Sequence, residues 1–225
     1  MGEAIGGLLP FAVGVAVSPF PIVGMILMLL TPRARPNGFS FLLGWVAGVV
    51  VAGAVFLTIF NAIGVSDDED EPATWTYWLK LVLGAALLVL AVRQWRHRPH
   101  PGDDVPMPKW MGALESFTPG RSVGLAVLLS AVNPKNLIFV IGGAAVVVQA
   151  DLSVGDDVVA WAVFTLIASI GVAAPLAIFL FLGDRATGIL DDLKSWMATN
   201  NTAVMAVLLL VIGAKLLGDA IAGIF

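Results

Sequence analysis

Cysteine is absent from the sequence, which excludes disulfide bonds, thiolate metal sites and membrane thiol–disulfide relays. Charge is also scarce. Asp, Glu, Lys and Arg make up only 12% of the 225 residues, against roughly 25% in a soluble domain. A chain with so few charges cannot cover a water-facing surface, so a soluble globular fold is excluded.

Groups for catalysis, metal binding or nucleotide binding are missing as well. No Asp, Glu or His lies in the middle of a long apolar stretch, and His97 and His100 are too sparse for a metal cluster. There is no Ser-His-Asp set, no Gly-rich phosphate loop and no basic stripe that would bind nucleic acid. We therefore expect no enzyme activity, no cofactor, no metal and no nucleic-acid partner.

Hydrophobic residues, in contrast, make up 59% of the chain, and its mean hydropathy is +0.94. A helix that spans a membrane needs about 20 mainly apolar residues. Six apolar runs approach or exceed this length: Ala4 to Thr31, Gly38 to Ser66, Trp75 to Val92, Ser122 to Ala150, Val158 to Gly183 and Ser195 to Leu217. The sequence therefore predicts an all-α membrane protein with six transmembrane helices.

Basic and acidic residues alternate between the connecting segments. Segments 32–37, 93–121 and 184–194 carry nine of the twelve Lys and Arg residues. The opposite connectors, which include the acidic run 67–71, carry neither Lys nor Arg. Because cytoplasmic loops are enriched in Lys and Arg, this pattern predicts a multi-pass protein of the cell (inner) membrane. It places the basic segments in the cytoplasm and both termini outside it.

Two short proline motifs divide the chain into related halves. Residues 16–21 read A-V-S-P-F-P and residues 131–136 read A-V-N-P-K-N, each near the middle of an apolar run. Each motif opens a unit of three helices, and because three is odd, the second unit enters the membrane from the opposite side. The sequence thus predicts a 3+3 inverted repeat with helices 1 and 4 broken at the proline motifs, a pattern typical of transporters.

The two repeats are predicted at residues 1–98 and 121–225, within a single membrane domain. A proline-rich cytoplasmic loop, 99–120, joins them. Residues 109–117 of this loop form either a short interfacial helix or part of a loosely ordered linker, and the sequence favours neither.

Polar side chains beside the two breaks form the predicted substrate site. Unpaired backbone groups cannot face lipid, so both breaks should converge on a protein-lined or wet centre. Lys135 begins the half-helix after the second break, where free N–H groups favour a phosphate, sulfate or carboxylate. Ser18, Asn133 and Asn136 are suited to pair with freed backbone groups or with substrate. The alternative is a simple proline kink, with Lys135 paired to carbonyls or extended to the interface.

Other charged residues and several glycines are interpreted as structural. Lys80 lies near the end of the third apolar run and can extend its ammonium group to the interface. Lys215 and Asp219 are four residues apart, which favours an ion pair on one helix face. Glycines that would allow close helix packing are Gly44, Gly48, Gly53 and Gly84.

The second motif, Asn133-Pro134-Lys135-Asn136, resembles the N-P-K signature of the lysine exporter superfamily. The first, Ser18-Pro19-Phe20-Pro21, with the apolar run that follows it, resembles the branch called the GAP or sulfolipid-addressing family. Actinobacterial members of that branch are linked to moving glycopeptidolipids and sulfolipids to the cell surface. The resemblance implies a substrate site formed by Ser18, Pro19, Pro21, Asn133, Pro134, Lys135 and Asn136. It excludes the thiol-relay and metal-exporting branches, because the membrane cysteines and carboxylates that they need are absent.

The resemblance also implies a function, the flippase-like export of a lipid or glycolipid with an anionic headgroup across the inner membrane. Its partners would be membrane lipids and the lipid or small-molecule substrate, and the protein would act alone or as a homodimer. Two alternatives stay open: an exporter of an amino acid or other small metabolite, and a non-transporting scaffold for a lipid export machine. The amino acid is less favoured, because no central carboxylate is present to bind its ammonium group.

Overall fold

Helices make up nearly all of residues 1–62, 74–98 and 116–224, which are the residues described by the computed structural model. The α-helices are α1 (Gly2–Ala16), α2 (Pro19–Leu29), α3 (Ala34–Ala62), α4 (Thr74–Arg96), α5 (Pro119–Val127), α6 (Pro134–Gln149), α7 (Val154–Phe181) and α8 (Ala186–Ile224). A π-helical turn, Leu128–Val132, extends α5, and a 3-10 turn, Gly183–Arg185, precedes α8. No strand occurs in these ranges, so the predicted all-α class is confirmed for them.

Four of the helical segments are long and apolar enough to cross a membrane by themselves. They are Ala34–Ala62, Tyr77–Arg96, Val154–Phe181 and Gly183–Ile224. Two further pairs qualify together but are bent, α1 with α2 by 47° and α5 with α6 by 59°. Counting each bent pair as one span gives six, so the described chain is a multi-pass membrane protein with four to six candidate spans.

The last helix differs most from the sequence prediction. We expected a span from Ser195 to Leu217, whereas α8 begins at Ala186 and continues to Ile224. Its first turns stay helical because Leu190 and Met197 pack into the core and because Lys194 pairs with Asp191 on the same face. A search for charge-free runs misses this beginning of the helix, because it is apolar on one face and charged on the other.

Two predicted features cannot be placed on the fold. The acidic run 67–71 lies outside the described residues, as does most of segment 109–117, for which an interfacial helix or a linker was expected.

The core is built where the long helices cross at glycines. Trp45 of α3 is fully buried, and its indole N–H donates to the Ala168 carbonyl of α7 over 3.3 Å. At each of the four glycines predicted to allow close packing, an added Cβ would meet another helix at under 3.0 Å: Gly44, Gly48, Gly53 and Gly84. Close packing at these glycines is therefore confirmed, and α4 and α8 pack along most of their shared length through one of them.

Helix ends gather at two opposite faces. The beginnings of α1 and α4 and the ends of α6 and α8 line one cavity, on the side that we call the terminal face. The end of α2, the beginnings of α3 and α8 and the end of α7 line another cavity, on the side that we call the basic face because Arg35 lines it. Helix α5 also begins at the basic face, where Asn37 Nδ2 donates to the Phe117 carbonyl over 3.0 Å.

Candidate functional site

The first proline motif separates α1 from α2. Helix α1 ends at Ala16, and Ser18 has an extended backbone with φ −62° and ψ 114°. The residue before a proline is disfavoured in helical conformation, which explains why the helix stops here. Pro19 and Pro21 then occupy the first turn of α2, where a missing N–H costs nothing. Pro10, in contrast, lies within the continuous helix α1.

The second motif repeats this geometry with more hydrogen bonds. Asn133 has φ −61° and ψ 118°, nearly the same backbone as the serine of the first motif, and Pro134 begins α6. Asn133 Oδ1 accepts a hydrogen bond from the Lys135 backbone N–H over 3.2 Å. Asn136, which is fully buried, donates from Nδ2 to the Leu129 carbonyl over 2.8 Å. Both asparagines therefore pair with backbone groups that the break leaves free.

The two motifs lie side by side. Lys135 Nζ is 5.7 Å from the centroid of the Phe20 ring, within the range of a cation–π contact. Lys135 is partly buried, and within the described ranges no Asp or Glu forms an ion pair with it. The Asn136 Oδ1 atom is also buried and has no hydrogen-bond partner. Among the described residues, the second motif thus holds one cation without an acidic partner and one buried acceptor without a hydrogen-bond donor.

The remaining predicted site residues differ in exposure. Ser18, Pro19 and Pro21 are buried, and the Ser18 side chain makes no capping hydrogen bond. Asn133 is partly buried, whereas Pro134 is exposed. Of the first motif, Phe20 is the residue seen in contact with Lys135.

A glycine on a long helix approaches each break. On α7, a Cβ added to Gly171 would lie 1.7 Å from the Ala16 carbonyl oxygen, at the end of α1. On α3, a Cβ added to Gly48 would lie 2.0 Å from Ser130 Oγ, in the π-helical turn before the second break. Each break is therefore held by a helix that comes close enough only because it carries no side chain there.

Glycines also join α1 to α6, in a contact that we call the α1–α6 seam. An added Cβ would approach Val146 to 2.8 Å from Gly7, Phe11 to 2.3 Å from Gly142, and Phe139 to 3.0 Å from Gly14. The seam extends from the terminal face towards the breaks. There is no equivalent seam between α2 and the α5 segment, by which we mean α5 with its π-helical turn, because the contact of α2 with this segment is marginal and lies mainly at the π-helical turn. The region of the breaks is thus sealed towards the terminal face by the seam, whereas α2 and the α5 segment touch only marginally.

Sequence reasoning did not identify Phe20 or the seam. Phe20 lay within the proline motif, but its ring was not assigned a partner. Gly7 and Gly14 are seven residues apart on α1, a spacing that repeats on one helix face and could have indicated a packing surface. The position of Gly142 opposite Phe11 depends on how the two helices are rotated, which no sequence pattern states.

Comparison with known proteins assigns the family. Residues 8–222 match the family described as "Sap, sulfolipid-1-addressing protein" (SfLAP), so the match covers nearly the whole chain and both proline motifs. No curated protein and no solved structure matches the chain. The match confirms the resemblance to the sulfolipid-addressing family, and the chain belongs to the sulfolipid-1-addressing protein family.

Proposed function

We propose that this protein is a flippase-like exporter of a lipid or glycolipid with an anionic headgroup, working by alternating access in the inner membrane. One observation carries the proposal. Two helix breaks with nearly the same backbone geometry meet at Lys135 and Phe20, and no acidic residue in the described part of the chain pairs with the Lys135 ammonium group. A charged side chain within a membrane span is costly and is kept for a function.

Support for an inverted repeat comes from equivalent contacts in the two halves. Helix α7 packs on α1 through Gly171, just as α3 packs on the α5 segment through Gly48. Helix α3 meets α7 at the contact between Trp45 and Ala168, where the halves face each other. In this proposal α1 with α2, and α5 with α6, are two broken spans related by an axis in the membrane plane.

The unequal packing of the breaks supports alternating access. In a symmetric arrangement, α2 would contact the α5 segment as closely as α1 contacts α6. Of these two contacts, only the α1–α6 seam is tightly packed. In our proposal the basic face is cytoplasmic, so this conformation is closed to the outside, and transport requires the seam to open while α2 and α5 approach each other.

The chemistry around Lys135 favours an anionic headgroup. Its ammonium group stands at the N-terminal end of α6, where the positive end of the helix dipole also attracts negative charge. A sulfate or phosphate group would accept charge-assisted hydrogen bonds there. The family description refers to sulfolipid-1, and a sulfated lipid has this headgroup chemistry.

A second candidate is an exporter of an amino acid or another small zwitterion. The unpartnered Asn136 Oδ1 atom is the observation that favours it, because this acceptor could bind an ammonium group while Lys135 binds the carboxylate. A third candidate is a membrane scaffold without transport activity, which would need the packing but not the charge of Lys135.

Lipid flux in proteoliposomes tests the proposal. The purified protein is reconstituted with a fluorescent sulfated glycolipid or with fluorescent phosphatidylcholine, and dithionite bleaching reports exchange between leaflets. We expect exchange of the sulfated lipid, and a loss of about tenfold or more in Lys135→Met, because a charge-assisted hydrogen bond contributes about 1.5–3 kcal/mol. Methionine keeps the unbranched chain and removes the charge. Lys194→Met is the matched control, since Lys194 pairs with Asp191 at the beginning of α8.

The outcomes separate the candidates. No exchange of any lipid with wild type would favour the scaffold. Equal exchange by wild type and Lys135→Met would remove Lys135 from the mechanism. Efflux of a radiolabelled amino acid without lipid exchange would favour the small-metabolite exporter.

A further inference from the structure

A polar cavity of about 640 Å³ opens at the terminal face, apart from the contact between Lys135 and Phe20. Ligand sites typically measure roughly 300–1,000 Å³, so this cavity is large enough for a lipid headgroup. Four helices contribute its charged and amide groups, which are Glu3 of α1, Lys80 of α4, Gln149 of α6, and Lys215 and Asp219 of α8.

Two hydrogen-bond donors in this cavity have no acceptor among the residues that the structure describes. Lys80 is partly buried, and in the part of the chain that the structure describes no carboxylate forms an ion pair with it. Its ammonium group lies 5.5 Å from the centroid of the Tyr77 ring. Gln149 Nε2 is buried and has no hydrogen-bond partner. Because buried donors are almost always paired in proteins, the cavity is suited to a ligand that accepts hydrogen bonds.

Asp219 is the carboxylate of the cavity that attracts Lys80, and it is shared with Lys215. Lys215 Nζ lies 2.7 Å from Asp219 Oδ2, which confirms the predicted pair and matches the charge of that carboxylate within α8. Glu3 is exposed to solvent at the rim, where its charge is screened. Away from the rim, the ammonium groups of Lys80 and Lys215 therefore face the one carboxylate of Asp219, and this excess of positive charge favours an anionic ligand.

The floor of the cavity is the first contact of the α1–α6 seam. Gly7 and Val146 line the cavity and also meet each other across the two helices. The rest of the seam continues from there towards the breaks. The cavity and Lys135 therefore lie on opposite sides of the seam.

We propose that this cavity, the terminal vestibule, is a second binding site that holds the sulfate or phosphate group of a lipid headgroup through Lys80 and Gln149. The proposal rests on the proposed function, because it makes the vestibule the position that a headgroup occupies across the seam from Lys135. An oxyanion supplies acceptors for both free donors and a negative charge for the ammonium group.

A fluorescent reporter in the vestibule tests this assignment. Ala150 lines the cavity, and Ala150→Cys can be labelled at a single position because the chain has no cysteine. The full chain in phosphatidylcholine nanodiscs is titrated with a short-chain sulfated glycolipid, its unsulfated analogue and inorganic sulfate. We expect saturable binding of the sulfated lipid only, a Kd raised about tenfold in Lys80→Met and several-fold in Gln149→Leu, and retained binding in Lys80→Arg.

The controls separate this site from the one at Lys135. Lys135→Met should leave the Kd at the reporter within about twofold, since the two sites lie on opposite sides of the seam. An unchanged Kd in both Lys80→Met and Gln149→Leu would overturn the vestibule site. Equally tight binding of inorganic sulfate would identify a free-anion site and overturn the lipid assignment. If the sulfated glycolipid does not bind at the reporter but lipid exchange still depends on Lys135, the vestibule site alone is overturned. If the sulfated glycolipid binds at the reporter but the protein exchanges no lipid, the proposed function alone is overturned.

Discussion

Replacing Gly142 by alanine should open the α1–α6 seam without touching the residues of either candidate site. The alanine Cβ would lie 2.3 Å from Phe11 Cε1 and 2.6 Å from Phe11 Cδ1. Phe11 is almost fully buried, so its ring has little room to move away. The overlap exists only while α1 and α6 are in contact, and it therefore destabilises the sealed conformation relative to one in which the seam is open.

The size of the effect follows from the cost of overpacking. Inserting a methyl group into a well-packed contact costs about 1–3 kcal/mol. If this cost falls on the sealed conformation alone, the population of the open conformation rises by about 5- to 150-fold. Alanine also favours a helix over glycine in both conformations, so that contribution cancels.

Cysteine accessibility measures this population. A single Ser18→Cys places a thiol at the first break, beyond the seam, in a chain without other cysteines. A membrane-impermeant thiol reagent is added to intact cells, where the terminal face is outside in our proposal. We expect Gly142→Ala to accelerate labelling by the factor given above. Gly124→Ala is the matched control, because a Cβ at this helical glycine meets no atom within 4 Å.

A compensating substitution decides whether the faster labelling results from an open seam. Phe11→Leu in the Gly142→Ala background removes the ring that the new methyl group meets, so labelling should slow towards the parent rate. Labelling that stays at the parent rate in Gly142→Ala, with normal amounts of folded protein, would refute the reasoning that the seam is a gate. Fast labelling that persists in the double variant would show general destabilisation instead.

Two further predictions concern the breaks and are measured as the free energy of unfolding in mixed detergent micelles. Gly171→Ala should destabilise the protein more than Gly48→Ala, because a rigid backbone carbonyl faces Gly171 whereas a Ser130 hydroxyl that can be removed faces Gly48. Ser130→Ala should rescue part of the Gly48→Ala loss, and equal losses without rescue would contradict the packing described. Asn136→Ala should cost about 1–3 kcal/mol, because it leaves a buried carbonyl unpaired. Lys135→Met should cost nothing, and a comparable loss there would assign Lys135 a structural role.

Much of the fold can be predicted from the sequence because the bilayer restricts the choices so strongly. Apolar runs of membrane length must be helices, since every backbone group in lipid has to be paired within the chain. The positions of the breaks also follow locally, because Ser18 and Asn133 each precede a proline. The pair between Lys215 and Asp219 is local as well, being fixed by one turn of helix. The resemblance to the family was carried by the same short motifs, and the match over residues 8–222 established it.

The remaining features required the tertiary structure, because they join residues from different helices. The contact of Lys135 with Phe20 depends on the bend at two breaks, and the seam depends on the rotation of α1 against α6. Lys80 shares a cavity with Gln149 only because the beginning of α4 and the end of α6 lie at the same face. Periodicity and composition predict which residues form a helix in an apolar environment, but they do not predict which helix packs beside it. In membranes, where lipid and side chains are equally apolar, that choice is made by close packing at glycines and by a few polar contacts.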